Sequence, residues 1–421
     1  MVTETVFTWS APPLKFGDGA LDEVGHDLAD LGVRRPALVA DAGIAAAGLV
    51  ERAARALAAA GIAPERYLDV HVEPTDESIR AAVAWVRDRE VDGFLAVGGG
   101  SVIDTAKAMN LLATNDGDLR DYLNPPIGAG RAPTDPLLPL VAVPTTAGTG
   151  SESTPVCILD VLDLKVKTGI SHPLLRPTLA VIDPTTTATL PQAVAVASGM
   201  DVLCHALESF TARPFSERPR SATGAARPAY NGANPISDTW SLRALDLLGR
   251  WFRRAVHDGE PEARRGMMLA ATYAGIGFGN AGVHIPHACG YPVAGMVRGY
   301  MPRGYAATEP MVPHGQSVIL TAPAAFRFTY SADPARHETV AAMLRDDDSA
   351  AGGIDALPSA IANLSRELGI PSGLAAVGYG DSEVDGLVEG AMKQQRLLTI
   401  SPRSVEADDL GDIFRQSMHN W

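Results

Sequence analysis

The first 183 residues alternate short apolar runs with amphipathic segments. Five apolar runs predict buried strands, at residues 36–41, 67–72, 93–97, 140–143 and 179–183. Between them lie segments with helical spacing, at residues 49–60, 77–89 and 102–112. Continuous apolar strands that alternate with helices are typical of a parallel sheet covered on both faces. The pattern therefore predicts an α/β fold with a mostly parallel sheet.

The pattern changes after Asp183-Pro184. Strand signals almost vanish, and helical periodicity takes over at residues 193–211, 237–256 and 261–278. A chain of 421 residues is also too long for one ordinary core. We therefore predict an α/β domain at residues 1–186 and an all-helical domain at 187–421. Residues 213–234 and 297–310 interrupt the helices as long irregular segments, and such segments are often functional.

The densest chemical signal lies in the first of these helices. Asp201 and His205 are four residues apart, which places both side chains on one helical face. His287 and His314 follow in sequence broken by Gly and Pro, and spacing alone does not choose between His284 and His287. One Asp and three His suit Fe²⁺ or Zn²⁺. The alternative is a buried Asp–His hydrogen bond with two unrelated histidines.

A glycine-rich turn follows the third predicted strand. It contains Gly98, Gly99, Gly100 and Ser101, and Asp104, in the helix that it opens, is a further candidate for nucleotide binding. Backbone N–H groups at such a turn suit a pyrophosphate, although any tight strand-to-helix turn can use glycines. The turn is not a GxGxxG fingerprint and does not follow the first strand, so the standard dinucleotide fold is not indicated.

The fourth predicted strand ends in a second small-residue loop, residues 144–152. Its hydroxyl groups include those of Thr145, Thr146 and Thr149. Two such loops from neighbouring parallel strands would face one crevice, which favours a nucleotide. The alternative is an ordinary hydroxyl-rich turn.

Two further residues extend the nucleotide hypothesis. Asp41 ends the first predicted strand, where a carboxylate can hold a ribose diol and favour NAD over NADP; the alternative is a helix cap. Lys165 and Lys167 lie on a predicted strand or hairpin beyond the hydroxyl loop. Either can reach the nucleotide, although solvated lysines are the default.

Composition narrows the possible partners. The net charge of −14 argues against nucleic acid, because nothing neutralises phosphates in bulk. Three cysteines, Cys157, Cys204 and Cys289, form no disulfide framework and indicate a reducing compartment. No stretch reads as long and apolar enough to span a bilayer. We therefore predict a cytoplasmic protein without a membrane partner.

These motifs together resemble the iron-containing (group III) alcohol dehydrogenase family, over nearly the whole chain. The resemblance implies a Rossmann-like nucleotide-binding domain before an all-helical metal domain, a design shared with dehydroquinate synthase. The implied metal ligands are Asp201, His205, His287 and His314. The implied nucleotide-binding positions are Gly98 to Ser101, Asp41, Thr145, Thr146, Thr149 and Lys167. Many members carry a second histidine where this chain has Tyr291.

Three segments of the chain match one branch of that family. Residues 227–238, 275–284 and 373–379 look like those of the hydroxyacid–oxoacid transhydrogenases. The resemblance implies that 4-hydroxybutyrate is oxidised to succinic semialdehyde while 2-oxoglutarate is reduced to 2-hydroxyglutarate, with the nicotinamide retained. The alternatives are an NAD-dependent alcohol or 4-hydroxybutyrate dehydrogenase, and a non-redox metal lyase similar to dehydroquinate synthase.

The implied chemistry assigns further roles. Asp201 and His205 act through the metal, and Tyr291 either relays a proton or simply packs. Substrate carboxylates need a cation, and the candidates in the two irregular segments are Arg213, Arg218, Arg220, Arg227 and Arg298. The alternative for each is a solvated basic loop. A homodimer or larger homo-oligomer is expected.

Overall fold

The computed structural model describes residues 2–224, 227–305, 309–344 and 352–421. The chain forms two compact units, one of residues 11–190 and one of residues 1–10 with 191–421. The first is an α/β unit and the second is helical, so the predicted fold class is confirmed. The sequence pattern did not indicate that the first ten residues join the helical unit.

The α/β unit contains all the named strands. These are β1 (Leu14–Phe16), β2 (Pro36–Val39), β3 (Glu65–Tyr67), β4 (Gly93–Gly98), β5 (Leu140–Pro144), β6 (Val156–Val161), β7 (Val166–Ser171) and β8 (Leu179–Ile182). Its helices are α1 (Val24–Asp30), α2 (Ala42–Ala46), α3 (Leu49–Ala59), α4 (Asp76–Arg87), α5 (Gly100–Thr114) and α6 (Leu119–Tyr122). Strands and helices alternate along much of this unit, as the hydrophobic pattern predicts.

Six strands form one parallel sheet in the order β1-β8-β5-β4-β2-β3. Every residue of β2, β4 and β5 is buried, as expected for strands covered on both faces. The predicted strand at 67–72 is wrong, because β3 ends at Tyr67. Its neighbour β2 ends at Val39, opposite Tyr67, so the chain beyond has no partner there. Strand β1 was missed because its three residues form no buried apolar run.

The remaining two strands form an antiparallel hairpin, β6–β7. Lys165, in the turn, has a left-handed backbone (φ 49°). Lys167 lies on β7, so the predicted strand or hairpin is present.

The helical unit contains α7 to α17. These are α7 (Gln192–Thr211), α8 (Pro235–His257), α9 (Pro261–Ala281), α10 (Ile285–Gly295), α11 (His314–Ile319), α12 (Ala322–Thr329), α13 (Pro334–Met343), α14 (Ala356–Glu367), α15 (Val384–Met392), α16 (Gln395–Leu398) and α17 (Ala407–Gln416). Helices α7, α8 and α9 agree with the predicted helices to within three residues at either end. Helix α7 packs against α8, α9 and α11.

Helix α7 is long and apolar enough to cross a membrane by length and composition alone, which the sequence reading did not recognise. However, 78% of its most apolar window is buried inside the protein. Core helices of soluble proteins pass the same test, so this helix is weak evidence for a membrane span.

Candidate metal centre and nucleotide loops

The buried face of α7 carries two polar side chains one turn apart. Asp201 and His205 are 2% and 3% exposed, in a helix whose other buried residues are mostly apolar. A carboxylate removed from water in this way needs a compensating charge or hydrogen bonds. The burial of the Asp201 carboxylate in this helix therefore requires an explanation.

Two other helices begin beside this face. His287 lies in the first turn of α10, and His314 is the first residue of α11. A Cβ atom on Gly315 would lie 1.9 Å from the Ala197 backbone oxygen and 2.9 Å from Asp201 Cβ. Only glycine allows α11 to begin so close to α7, and this approach brings His314 to Asp201.

Three imidazoles converge on one carboxylate oxygen. Asp201 Oδ1 lies 3.6 Å from His205 Nε2, 3.5 Å from His287 Nε2 and 3.7 Å from His314 Nε2. These distances exceed those of hydrogen bonds. Within the described ranges, buried Asp201 Oδ1 and His287 Nε2 have no hydrogen-bond partner. The ligand atoms of Asp201, His287 and His314 all lie within 4.8 Å of one another.

These separations fit a shared cation. Ligand atoms held tetrahedrally at about 2.0–2.2 Å from one ion are roughly 3.4 Å apart. The observed values of 3.5–3.7 Å are close to that separation, and a carboxylate with imidazoles suits Fe²⁺ or Zn²⁺. The structure therefore brings together all four predicted ligands, with His205 outside the tightest group of three.

Electrostatics at the cluster suit cation binding. Burial alone would raise the pKa of Asp201, but His205, His314 and His287 outweigh it and lower the pKa below its usual value. Burial lowers the pKa of His205 to about 3, so this imidazole is neutral. Burial would also lower the pKa of His287, but Glu208 and Asp201 raise it to about 9. The Asp201 carboxylate is therefore ionised, and His287 must release one proton to bind a cation.

Glu208 completes the cluster, and the sequence reading missed its role. His287 Nδ1 donates to Glu208 Oε1 at 2.5 Å, and the His284 backbone N–H donates to Oε2 at 2.6 Å. Glu208 is fully buried. These bonds turn His287 Nε2 towards Asp201. The signal was available, because Glu208 lies three residues after His205 on the same helix.

The geometry also separates His284 from His287. His284 Nε2 is 3.1 Å from Thr211 Oγ1, and its ring meets the edge of Phe326. The His284 ring is therefore oriented by the Thr211 hydroxyl, and His284 is not among the three residues whose ligand atoms lie close together. Tyr291, one turn after His287, is buried, and its ring centroid lies 6.0 Å from that of His314.

The three cysteines are buried and free. Burial raises the pKa values of Cys204 and Cys289 above their usual values, which keeps both thiols protonated. They therefore pack as small apolar side chains.

The two loops proposed for a nucleotide lie side by side in the α/β unit. Gly98 ends β4, Pro144 ends β5, and these residues are partners in the sheet. A Cβ atom on Gly100 would lie 2.7 Å from Thr149, so the glycine permits this contact. Thr145 Oγ1 is buried without a hydrogen-bond partner among the described residues. The predicted juxtaposition of the loops is observed.

Several residues proposed for the nucleotide have partners of their own. Asp41 accepts from the Ile44 N–H and caps α2. Asp104 accepts from Ser151 Oγ and from the Ile158 N–H. Ser101 Oγ accepts from the Glu73 N–H. Lys167 Nζ donates to Glu73 at 2.7 Å and to Asp160 at 2.8 Å. A Cβ atom on Gly99 would lie 3.4 Å from Thr146. The contacts of Asp41 and Asp104 support structural roles.

The candidate arginines are also engaged or exposed. Arg213 Nε donates to the Ser401 oxygen at 3.2 Å, and Arg218 donates to the Tyr230 oxygen. Arg227 pairs with Glu4 at 3.3 Å. Arg298 has an 81% exposed side chain, and Arg220 is exposed as well. These contacts do not single out a substrate-binding arginine among the five.

Comparisons with known proteins agree with this architecture. Residues 12–184 match the iron-containing alcohol dehydrogenase model, and residues 229–418 match the C-terminal model of the same family. Hydroxyacid-oxoacid transhydrogenases, named as mitochondrial, from Bos taurus and Xenopus laevis are 44% and 43% identical, over 99% of this chain and 91% of theirs. A solved 1,3-propanediol oxidoreductase has a TM-score of 0.85 at 29% identity, over 98% of this chain and 100% of its own.

Fold, cluster and relatives place the chain among oxidoreductases that act on CH–OH groups. It belongs to the iron-containing alcohol dehydrogenase family.

The expected cytoplasmic location is wrong. The bovine and frog relatives are both named as mitochondrial, which points to that compartment instead. The prediction rested on the unpaired cysteines and on the lack of a recognised membrane span. Unpaired cysteines do not distinguish between two reducing compartments.

Proposed function

We propose that this protein is a hydroxyacid–oxoacid transhydrogenase. It oxidises 4-hydroxybutyrate to succinic semialdehyde and reduces 2-oxoglutarate to 2-hydroxyglutarate. The observation that carries the proposal is the convergence of three imidazoles on Asp201 Oδ1, which has no hydrogen-bond partner in the described part of the chain. Relatives that match 99% of this chain and bear the transhydrogenase name support the choice of reaction.

Asp201, His205, His287 and His314 are the proposed ligands of one Fe²⁺ or Zn²⁺ ion. A bound ion of this kind supplies a Lewis acid for the substrate oxygen. Asp201 would contribute the negative charge, and each imidazole would bind through an unprotonated nitrogen, which for His287 requires release of one proton. Glu208 holds the His287 ring so that its Nε2 faces Asp201.

NAD is the proposed second cofactor, and it supplies the redox centre that both substrates share. The unit of residues 11–190, close to the predicted 1–186, is the proposed nucleotide-binding domain, and the helical unit is the proposed metal-binding domain. Gly98, Gly99, Gly100 and Ser101 offer backbone and hydroxyl donors, and Thr145, Thr146 and Thr149 offer hydroxyls on the adjacent loop. Asp41, which caps α2 through Oδ1, is also the proposed ligand of the ribose hydroxyls. For Asp104 and Lys167 we propose support of these loops.

Tyr291 is the proposed proton carrier near the metal cluster. It is buried, and its ring lies 6.0 Å from that of His314, one helical turn beyond His287. A tyrosine hydroxyl both donates and accepts, so it can pass the substrate's proton. We further propose that the enzyme is a homodimer or larger homo-oligomer.

One assay tests the reaction. Purified protein is mixed with 4-hydroxybutyrate and 2-oxoglutarate without added nucleotide, and 2-hydroxyglutarate is followed by mass spectrometry. A transhydrogenase forms 2-hydroxyglutarate in step with succinic semialdehyde. Oxidation of 4-hydroxybutyrate only upon addition of NAD⁺ would instead establish an ordinary dehydrogenase and refute the proposal.

A further inference from the structure

Arg396 lies between two buried tyrosines in the helical unit. Its guanidinium carbon lies 5.0 Å from the ring centroid of Tyr230. The N–H groups of the guanidinium interact with the hydroxyls of Tyr230 and Tyr291. Both tyrosines are at most 5% exposed. The guanidinium is therefore held in place by aromatic side chains, which present little competing negative charge.

Among the residues that the structure describes, no carboxylate pairs with Arg396. Its Nη1 atom is buried without a hydrogen-bond partner, and none of the ion pairs among the described residues includes it. A buried guanidinium without a carboxylate is costly, and most buried donors are satisfied. Burial would lower the pKa of Arg396, but the two tyrosine hydroxyls raise it, so the side chain stays charged.

Tyr291 links this guanidinium to the metal cluster. It follows His287 by one turn of α10, and its ring lies 6.0 Å from that of His314. Arg396 is therefore separated from the proposed ligands by a single side chain. All of these residues belong to the same compact unit.

We propose that Arg396 binds the substrate carboxylate that lies away from the reacting carbon. The inference rests on the proposed function, because both acids carry such a group. In 4-hydroxybutyrate, four bonds separate the hydroxyl oxygen from the carboxylate carbon, a span of about 5 Å when extended. A cation that is one side chain removed from the proposed metal ligands suits a carboxylate four bonds from the reacting oxygen. A planar guanidinium is also the preferred group for bidentate carboxylate binding.

The irregular segment at 213–234 then gains a purpose. It supplies Tyr230, whose ring packs against Gly282 at the end of α9 and supports Arg396. A Cβ atom on Gly282 would lie 3.0 Å from three Tyr230 atoms, and its backbone is left-handed (φ 99°). The five arginines that the sequence offered lie in the two irregular segments, whereas Arg396 comes from α16.

The test compares charged and neutral substrates. In the metal-loaded enzyme, Arg396→Gln is expected to lower the ratio of kcat/KM for 4-hydroxybutyrate to that for 1,4-butanediol by about 100-fold, chiefly through the KM of the acid. Arg396→Lys keeps the positive charge but not the planar guanidinium, so the same ratio is expected to fall less. This second variant also keeps the test valid if Arg396→Gln misfolds. Arg403→Gln is the matched control, because Arg403 also stacks on an aromatic ring, that of Phe328 at 4.1 Å.

Binding of glutarate, a dicarboxylate without a reacting oxygen, separates this proposal from the proposed function. Calorimetry is expected to show at least about tenfold weaker glutarate binding to both Arg396 variants and unchanged binding to Arg403→Gln. Normal glutarate binding and an unchanged acid preference in folded Arg396 variants would overturn the role of Arg396. If the wild-type enzyme makes no 2-hydroxyglutarate, but glutarate binding is still weakened in the Arg396 variants, only the proposed transhydrogenase reaction is refuted.

Discussion

Two buried polar clusters in this protein differ in how completely their groups are bonded. In the α/β unit, Lys107 Nζ donates to Ser151 Oγ at 3.0 Å, to the Thr154 oxygen at 3.1 Å and to the Val156 oxygen at 2.7 Å. Asp104 accepts from Ser151 and from a backbone N–H. In the helical unit, the imidazoles around Asp201 Oδ1 stay 3.5–3.7 Å away, and that oxygen is unbonded within the described residues.

The difference teaches which buried charges mark a functional site. Both clusters contain a buried acid and a buried base, so burial and charge alone do not separate them. The Lys107 cluster is closed, because its donors have acceptors, and it fixes the hairpin β6–β7 to α5. The Asp201 cluster is open, and an open buried cluster requires something to satisfy it.

Removal of the open cluster's charge should have the largest effect. Asp201→Asn keeps the shape but removes the carboxylate, so bound Fe²⁺ or Zn²⁺ should fall from about one ion per chain to near zero. Loss of the Lewis acid is worth several kcal/mol, and kcat/KM should therefore drop at least about 1000-fold. Elemental analysis and the transhydrogenase assay measure the two effects.

Asp385→Asn, on the exposed face of α15, is the control and should change neither quantity. A full metal load in Asp201→Asn would show that the ion is held elsewhere.

Opening the closed cluster should cost stability and leave the metal in place. Lys107→Met removes one partner and leaves Asp104 buried without a counter-charge, which costs about 3–5 kcal/mol. Urea unfolding measures the change, with exposed Lys165→Met as its control. A variant as stable as wild type, or one that loses the metal, would mean that the contrast between the clusters is mistaken.

Glu152, in the hydroxyl loop of the α/β unit, should make stability depend on pH. Burial raises its pKa from 4.5 to about 7, although Lys107 partly opposes this. A raised carboxyl pKa gives stability that is complete below pH 4.5 and is lost as pH rises towards 7. The difference is worth roughly 3 kcal/mol.

Thermal unfolding of Glu152→Gln across this range should therefore show less loss of stability at rising pH than wild type. The control, exposed Glu217→Gln, should follow wild type. Parallel profiles for all three proteins would eliminate Glu152 as the source.

The smallest expected effect concerns the orientation of a ligand. Glu208→Gln replaces the carboxylate that accepts from His287 Nδ1, and metal affinity should fall about 10- to 100-fold. Competition with a chelator measures the affinity directly. Exposed Glu389→Gln should bind metal like wild type, and equal affinity in Glu208→Gln would leave Glu208 with a packing role only.

Much of the fold was predictable because its signals are local. The buried runs of β2, β4 and β5, and the long helices α7, α8 and α9, follow from hydrophobic periodicity. Strands β1 and β3 were not predicted correctly, since edge strands depend on where a neighbouring strand ends. That information lies elsewhere in the chain.

The candidate site likewise contains residues that local spacing predicts and residues that it does not predict. The i,i+4 pair of Asp201 and His205 was legible because one helix positions both residues. The choice between His284 and His287 depends on Glu208, and the environment of Arg396 depends on Tyr230 and Tyr291. These contacts join segments far apart in sequence, so residue spacing does not reveal them.

The most direct test of the open cluster is anomalous diffraction from crystals of the purified enzyme, recorded at the iron and zinc absorption edges. We predict one strong peak at about 2.0–2.2 Å from Asp201 Oδ1 and from the Nε2 atoms of His205, His287 and His314. A structure in which those atoms bond directly to one another, with no peak between them or with the metal bound at another site, would contradict the account.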